Sequence, residues 1–469
     1  SGLARDNVTM TATHSYVGLD ANGWGYYGNG WTYHNAVANS SYGAAYGNND
    51  VIGVAFDADV GTLVFYKNGV SQGTAYTGLT SGPYFPAFGD GGSTTNIAQS
   101  VNFGQRPFAY TPPTGFKKLN TFNLPDSTIE DGSDYFTPVL YTGDSTSNRN
   151  IPTGFAGGWT WIKNRNLANS HTLSDVVRGD GKTLFTNATN AEVDYGANGI
   201  DLVSDGFDVT HSATNNLFNV SGRTYVAWNW KASNTTATNS AGTNGASIAS
   251  TYSVNTTSGF SIVGYTGTGS AGTIYHGLGV APSMMIVKNR TTAIAGAWPV
   301  YHTSIGADYY LFLDITDAQS TTSTPFNDTA PTASVFSVDG SNRVNQNTNA
   351  MIAYCFAEVP GYSAFGIYTG NASTDGPFVY TGFRPAFVMV KCSNATEEWM
   401  ILDAARDTYN VMEDRLFPNN ASADSSVGTI DFTSNGFKLK RAGGTGNISG
   451  RTYIYMAFAE NPFKNSNAR

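Results

Sequence analysis

The last three-quarters of this chain is one unit written three times. Each copy opens with Tyr-Thr-Gly: Tyr141-Thr142-Gly143, Tyr265-Thr266-Gly267 and Tyr368-Thr369-Gly370. An apolar run ending in lysine follows about 22 residues later: Trp159 to Lys163, Met284 to Lys288 and Phe387 to Lys391. A Leu-Phe pair comes next (Leu184-Phe185, Leu311-Phe312, Leu416-Phe417), then an apolar strand closing the copy (Tyr225 to Trp230, Met351 to Phe356, Tyr453 to Phe458). Internal repetition on a Gly/Asn/Ser/Thr background marks an arrayed structural protein. It argues against a chain built around one catalytic pocket.

The background composition sets the fold class. Charged residues make up 13% of the chain, half the roughly 25% of an ordinary domain. Aromatics are also 13%, and there are 53 glycines. Disorder wants the opposite balance. Many turn formers, many aromatics and polarity supplied by Asn, Ser and Thr predict an all-β, multidomain chain of β-sandwich modules. The net charge of −9 disfavours nucleic-acid binding, and no basic run exceeds Phe116-Lys117-Lys118. No apolar stretch approaches the roughly 18 residues of a membrane helix. Cys355 and Cys392 stand at non-equivalent places in different copies, so they read as two free, buried thiols and not as a disulfide framework.

Residues 1–118 form the first region. Strands are predicted at Val51–Asp57, Thr62–Tyr66, Tyr84–Phe88 and Ser100–Gly104, with Lys67-Asn68-Gly69-Val70 as a hairpin turn because Asn-Gly tolerates positive φ. The segments "DVIGVAFDADVGTLVFYKNG", "YFPAFGDGG" and "VNFGQRPFAYTPPTGFKKLN" resemble the second half of a SPRY domain, an antiparallel β-sandwich. The family's opening strands, with their Trp-Tyr-aromatic run, are expected upstream of Ser1, and the chain is read as a fragment of a longer polypeptide. With its "PFAYTPPTGFKKLNTFNLPD" exit, this region looks like SPRY modules of marine tailed-phage virion proteins.

Residues 119–134 are read as a linker, followed by module one at 129–233, a Ser/Thr/Asn-rich flexible or extended connector at 234–257, module two at 258–361 and module three at 362–469. Short helical turns are expected around His171–Arg178 and Trp399–Arg406. The modules, with signatures such as "WIKNR", "SDGF" and "YVAWNWKA", resemble an uncharacterised repeat of phage structural proteins. That resemblance transfers no catalytic motif.

Three groups of residues stand out. Asp175 with Arg178 and Asp403 with Arg406 lie at matching places in copies one and three. Copy two has His302 and Ile305 there, so the pairs read as structural salt bridges that pin a turn to the sheet, not as catalytic units. Lys163, Lys288 and Lys391 end equivalent strands; the favoured reading is a solvated strand end discouraging edge pairing, against a shallow anionic-sugar site. Trp24, Tyr26, Tyr27, Trp31, Tyr33 and His34 form a dense, Gly-rich aromatic loop. Such rings suit a ligand site that stacks on sugars, and SPRY loops bind partners; the competing reading is sandwich core or protein interface. Trp159, Trp161, Trp228 and Trp230 alternate along strands and read as core or inter-repeat packing. The six histidines show no metal-ligand spacing, and "GDGG" at Gly89–Gly92 reads as a turn. No catalytic residue, metal site or cofactor is nominated.

The expected function is that of a bacteriophage virion structural protein, a tail fibre, spike or capsid-attached fibre that adheres to a host-surface glycan or protein. The expected location is the virion, with other virion proteins as partners and a homo-oligomer, a trimer by analogy with phage fibres, raising avidity. Two alternatives are a purely architectural component without a ligand and, least favoured, a polysaccharide depolymerase.

Overall fold

The computed structural model describes all residues except 6–7, 9–15, 90–97, 213–215, 295, 322–324 and 467–469. It divides into two compact units, Ser1–Leu124 and Pro125–Arg469. Among the described residues, every regular element longer than a single 3-10 turn is a β-strand.

The first unit holds two antiparallel sheets. One has the order Val37–Asn39, Thr32–His34, Gly23–Tyr26, Gly2–Ala4, Phe85–Ala87. The other runs Ile52–Asp57, Thr62–Lys67, Val70–Tyr76. Leu3, Trp24 and Tyr26 of the first sheet share a core with Leu63 and Phe65 of the second. Asn68 and Gly69 turn the hairpin with φ of 49° and 81°, as a two-residue loop of this kind demands. Residues 100–104, expected as a strand, carry no ladder; Asn102 Oδ1 instead accepts from Gly104 N–H and Gln105 Nε2 donates to the Val101 carbonyl in a local turn. Gly2–Ala4 sits between Gly23–Tyr26 and Phe85–Ala87, so the opening residues already contribute an interior strand.

In the second unit one strand order recurs three times. The opening strand (Phe136–Thr142, Phe260–Thr266, Ser363–Thr369) pairs with the closing strand (Thr224–Trp230, Ala350–Phe356, Thr452–Pro462). The closing strand pairs on its other side with the lysine strand (Trp159–Asn164, Met284–Asn289, Phe383–Cys392). A fourth strand follows (Thr172–Asp175, Pro299–His302, Met400–Asp403). Register matches too: Trp159 faces Trp230, Met284 faces Phe356 and Phe387 faces Phe458. A smaller sheet backs each of these, built on Arg149–Pro152 with Gly206–Val209, Gly272–Tyr275 with Val335–Val338, and Phe378–Tyr380 with Gly436–Leu439. The first half of each segment expected as a helical turn, at His171–Arg178 and Trp399–Arg406, is strand, because the lysine strand offers it a ladder; the last three residues turn.

The large sheets are buried on both faces, which explains closing strands that are apolar almost without alternation. In copy one Tyr225 and Ala227 face the module's own small sheet, while Val226, Trp228 and Trp230 face outward from the module. Copy two repeats this with Met351, Ala353 and Cys355 against Ile352, Tyr354 and Phe356. The outward faces of all three copies meet in one continuous core. At its centre Trp230, Phe356 and Phe458, equivalent by register, contact one another pairwise with centroids 6.3, 5.6 and 6.0 Å apart. The three copies therefore form a closed ring with pseudo-threefold arrangement inside one chain.

Two expected linkers are structured. Ala237–Asn239 and Ser250–Asn255, within the segment read as a flexible connector, extend the large sheet of copy two beside Phe260–Thr266. Their polar, β-branched composition suits an edge strand as well as a linker, and only pairing decides between them. Ile129 is buried in the common core, and Gly132 abuts the Ala459 carbonyl. Residues 125–134 thus belong to the second unit.

Candidate functional site

The aromatic loop of the first unit does not form one open platform. Trp24 and Tyr26 are core residues. Trp24 stacks on His34 at 5.0 Å, and the Tyr26 hydroxyl donates to the Ala44 carbonyl at 2.5 Å. Tyr27 and Tyr33 are half-buried against each other at 4.5 Å, and the half-buried His34 ring bonds the Gly23 carbonyl through Nδ1. Trp31 alone of the six is exposed, at 37%. The sheet pleat is the reason: Trp24 and Tyr26 are two apart on an interior strand and so share its inner face. A shallow depression of about 220 Å³ beside them is lined by Thr32, His34, Val37 and Tyr76. Asp90 to Gly92 of the "GDGG" motif lie outside the described residues.

The charged residues of the repeats sit at the joints of the ring. Arg178 Nε donates to Asp175 Oδ2 at 2.5 Å and Arg406 Nε to Asp403 Oδ2 at 2.6 Å, all four side chains fully buried. The remaining guanidinium nitrogens reach the Leu173 and Ile401 carbonyls and the Glu192 and Asp424 carboxylates. Each carboxylate is also held by another copy. Tyr354 donates to Asp175 Oδ2 at 2.8 Å, and Trp228 Nε1 to Asp403 Oδ2 at 2.9 Å. At the third joint His302 stands in the aspartate's place and meets the Tyr455 carbonyl through Nε2 at 3.1 Å. Since Nδ1 accepts from Ser304 N–H, Nε2 carries the proton.

The joints repeat in their backbone as well. Glu192 N–H donates to the Arg290 carbonyl, Gln319 to Ser393 and Asp424 to Arg165, at 2.8, 2.7 and 2.8 Å. Ion pairs reinforce two of the three: Arg290 with Glu192 at 2.8 Å, and Arg165 with Asp424 at 2.6 Å. Trp298 and Trp399 donate across two joints to the Phe185 and Phe312 carbonyls.

Lys163, Lys288 and Lys391 are not solvated strand ends. All three are buried. Lys288 Nζ donates to the Thr189 carbonyl of copy one, and Lys391 Nζ to the Thr316 carbonyl of copy two. Desolvation pushes each ammonium down to about 8. Lys163 Nζ donates to the Asn164 and Leu167 carbonyls of its own copy. The strand ends of copies two and three that look free within one repeat are covered by a loop of the preceding copy, so neither an edge-protecting charge nor an open anion site remains. Cys355 and Cys392 are free and buried. Among the described residues, no group of three or more His, Cys, Asp or Glu is placed to hold a metal ion.

Residues 131–462 match the family described as a domain of unknown function (DUF7483). The chain belongs to that family. The SPRY domain family matches residues 2–106, so the opening stretch, expected to lack the family's first strands, lies within the match, in accord with the interior position of Gly2–Ala4. The probable ATP-dependent RNA helicase ddx1 of Dictyostelium discoideum is 32% identical over 124 residues, 26% of this chain and 15% of the relative. The E3 ubiquitin-protein ligase RKP of Arabidopsis thaliana is 38% identical over 86 residues, 17% of this chain and 6% of the relative. The chain thus spans less than a sixth of the length of these curated relatives.

One exposed aromatic pair escaped the sequence reading. Phe378 and Tyr380, 47% and 61% exposed, flank buried Val379 on the small sheet of copy three. The signal was present: copy one carries Asn150 and Pro152 on either side of Ile151, the residue that pairs with Phe207 as Val379 pairs with Phe437.

Proposed function

We propose that this chain is a non-enzymatic structural and adhesive component of a bacteriophage virion, a fibre- or spike-like element that presents its modules to a host surface. The observation that carries the structural half is the closed ring. Its aromatic centre and its buried carboxylates, guanidinium groups and ammonium groups are engaged in joining one copy to the next. A carboxylate locked between an arginine and a neighbouring module's Tyr or Trp is a brace, not an acid or base free to meet substrate. The virion setting is supported by the resemblance of "WIKNR" and "YVAWNWKA" to repeats of tailed-phage structural proteins. Homo-oligomerisation, as a trimer, would multiply weak contacts by raising effective concentration.

The adhesive half is tested by measuring saturation binding of the fluorescently labelled chain to intact bacteria, with Trp31→Ala and Phe378→Ala/Tyr380→Ala as comparisons. Saturable binding weakened by either change supports adhesion. A folded chain that binds no cell type supports the purely architectural reading, which the inter-repeat aromatic packing also favours.

A further inference from the structure

We propose that the outer face of the small sheet in copy three is a binding site for an uncharged, hydroxyl-rich polysaccharide. This deepens the adhesive reading and rests on it.

The face is a grid fixed by register. Phe378 pairs with Lys438, which pairs with Asp431; Tyr380 pairs with Gly436, which pairs with Thr433. Directly paired residues share a face, and strands lie about 4.8 Å apart with same-face residues about 6.7 Å apart along each strand. Two aromatic rings therefore stand side by side on the edge strand, next to two polar rows. Their neighbours Val379, Phe437 and Phe432 point the other way and are buried.

The fold does not require a pair of rings at these positions. The matching residues are Asn150 and Pro152 in copy one and Thr273 and Tyr275 in copy two, in sheets of the same pairing. Exposed rings 47% and 61% open to solvent add nothing to the core. They do supply flat apolar surface of the kind that stacks on the C–H face of a pyranose.

The polar rows select the ligand. Gly436 lets the backbone of the edge strand approach closely beside Tyr380: a Cβ there would lie 2.1 Å from the Val379 carbonyl oxygen. Asp431, whose Oδ1 is buried, pairs through Oδ2 with Lys440 Nζ at 3.8 Å. The Thr433 hydroxyl donates to the Gly436 carbonyl at 2.9 Å, leaving its oxygen able to accept. Lys438 is already occupied by Asp375 at 2.7 Å and the Gly376 carbonyl at 3.1 Å. The face thus offers stacking surface and the Thr433 oxygen as acceptor, with Lys438 and Lys440 each neutralised by a carboxylate. A sugar hydroxyl fills that acceptor, whereas an anionic polymer would meet two lysines already paired with carboxylates.

The test is affinity electrophoresis of the full chain through gels containing dextran, mannan, laminarin or alginate. The expected result is retardation by at least one of the three neutral polymers. It should weaken roughly tenfold or more, the equivalent of one lost stacking anchor, in Phe378→Ala/Tyr380→Ala, and partly in Thr433→Val. Phe122→Ala, at a ring 83% exposed in the first unit, should leave it unchanged. Unaltered circular dichroism and melting of the variants show that folding is intact. No retardation by any neutral polymer overturns the proposal, as does retardation indifferent to the double substitution, or strongest retardation by alginate. If cell binding survives the double substitution but is lost in Trp31→Ala, this site falls and the adhesive reading stands.

Discussion

The indole N–H of Trp228, on the closing strand of copy one, donates to Oδ2 of Asp403 in copy three at 2.9 Å. Asp403 is also gripped by Arg406 from its own copy, and neither side chain of that pair is exposed. A substitution at either end should therefore be felt across the ring. Trp228→Phe keeps the packing but removes a donor to a buried carboxylate, and should cost about 1–3 kcal/mol. Asp403→Ala leaves the Arg406 guanidinium without its main counter-charge and should cost about 3–5 kcal/mol. Denaturant titration of the single and double variants would yield the coupling between copies; strict additivity would mean that the contact carries no energy.

The aromatic centre predicts shared cooperativity. Phe458 touches Trp230, Phe356 and Phe136 as well as its own module. Phe458→Ala should cost about 3–5 kcal/mol. In calorimetry the transition of the second unit should move as a whole, while that of residues 1–124 stays in place. Separate melting of copies one and two ahead of copy three would contradict the ring.

Buried histidines make the second unit acid-sensitive. Burial pushes His302 and His276 down to about 4, against a usual value near 6.5. Their unfolded forms therefore bind protons first. Stability is full above about pH 6.5 and falls as pH drops towards 4, where the folded rings also charge. His302→Asn should flatten part of that slope between pH 6.5 and 4 in urea melts; an unchanged slope would show that His302 does not titrate differently on unfolding.

Both thiols should be silent in the native chain. Burial raises Cys355 and Cys392 above their usual range, and thiolate is the reactive form. Reaction with a disulfide reagent should begin only as the second unit unfolds, and its rate should follow the unfolding of Phe458→Ala. Prompt labelling of the native chain would place a thiol at the surface.

Much of the repeat is legible in the residues themselves. Tyr-Thr-Gly, the lysine run and the closing strand mark out three copies because each module needs the same β ladders in the same order. The three-residue spacing of Asp175 and Arg178, and of Asp403 and Arg406, is local, and a turn closes it whatever lies beyond. Asn68-Gly69 is equally local, since positive φ at both positions makes a hairpin on its own. Local pattern cannot tell a sheet face that meets water from one that meets another module. Lys288 and Lys391 look like solvated ends until a loop of the preceding copy covers them, and Lys163 until the Asn164 and Leu167 carbonyls take up its ammonium. The 234–257 segment looks like a tether until Phe260–Thr266 offers it an edge. Trp24 and Tyr26 look like a ligand platform until the second sheet closes over them, while Phe378 and Tyr380 look like ordinary strand residues until nothing does. Periodicity records which residues share a side of a strand; only the docking of sheets and copies in three dimensions decides what that side touches, and with it where charge is buried and where aromatic surface stays open.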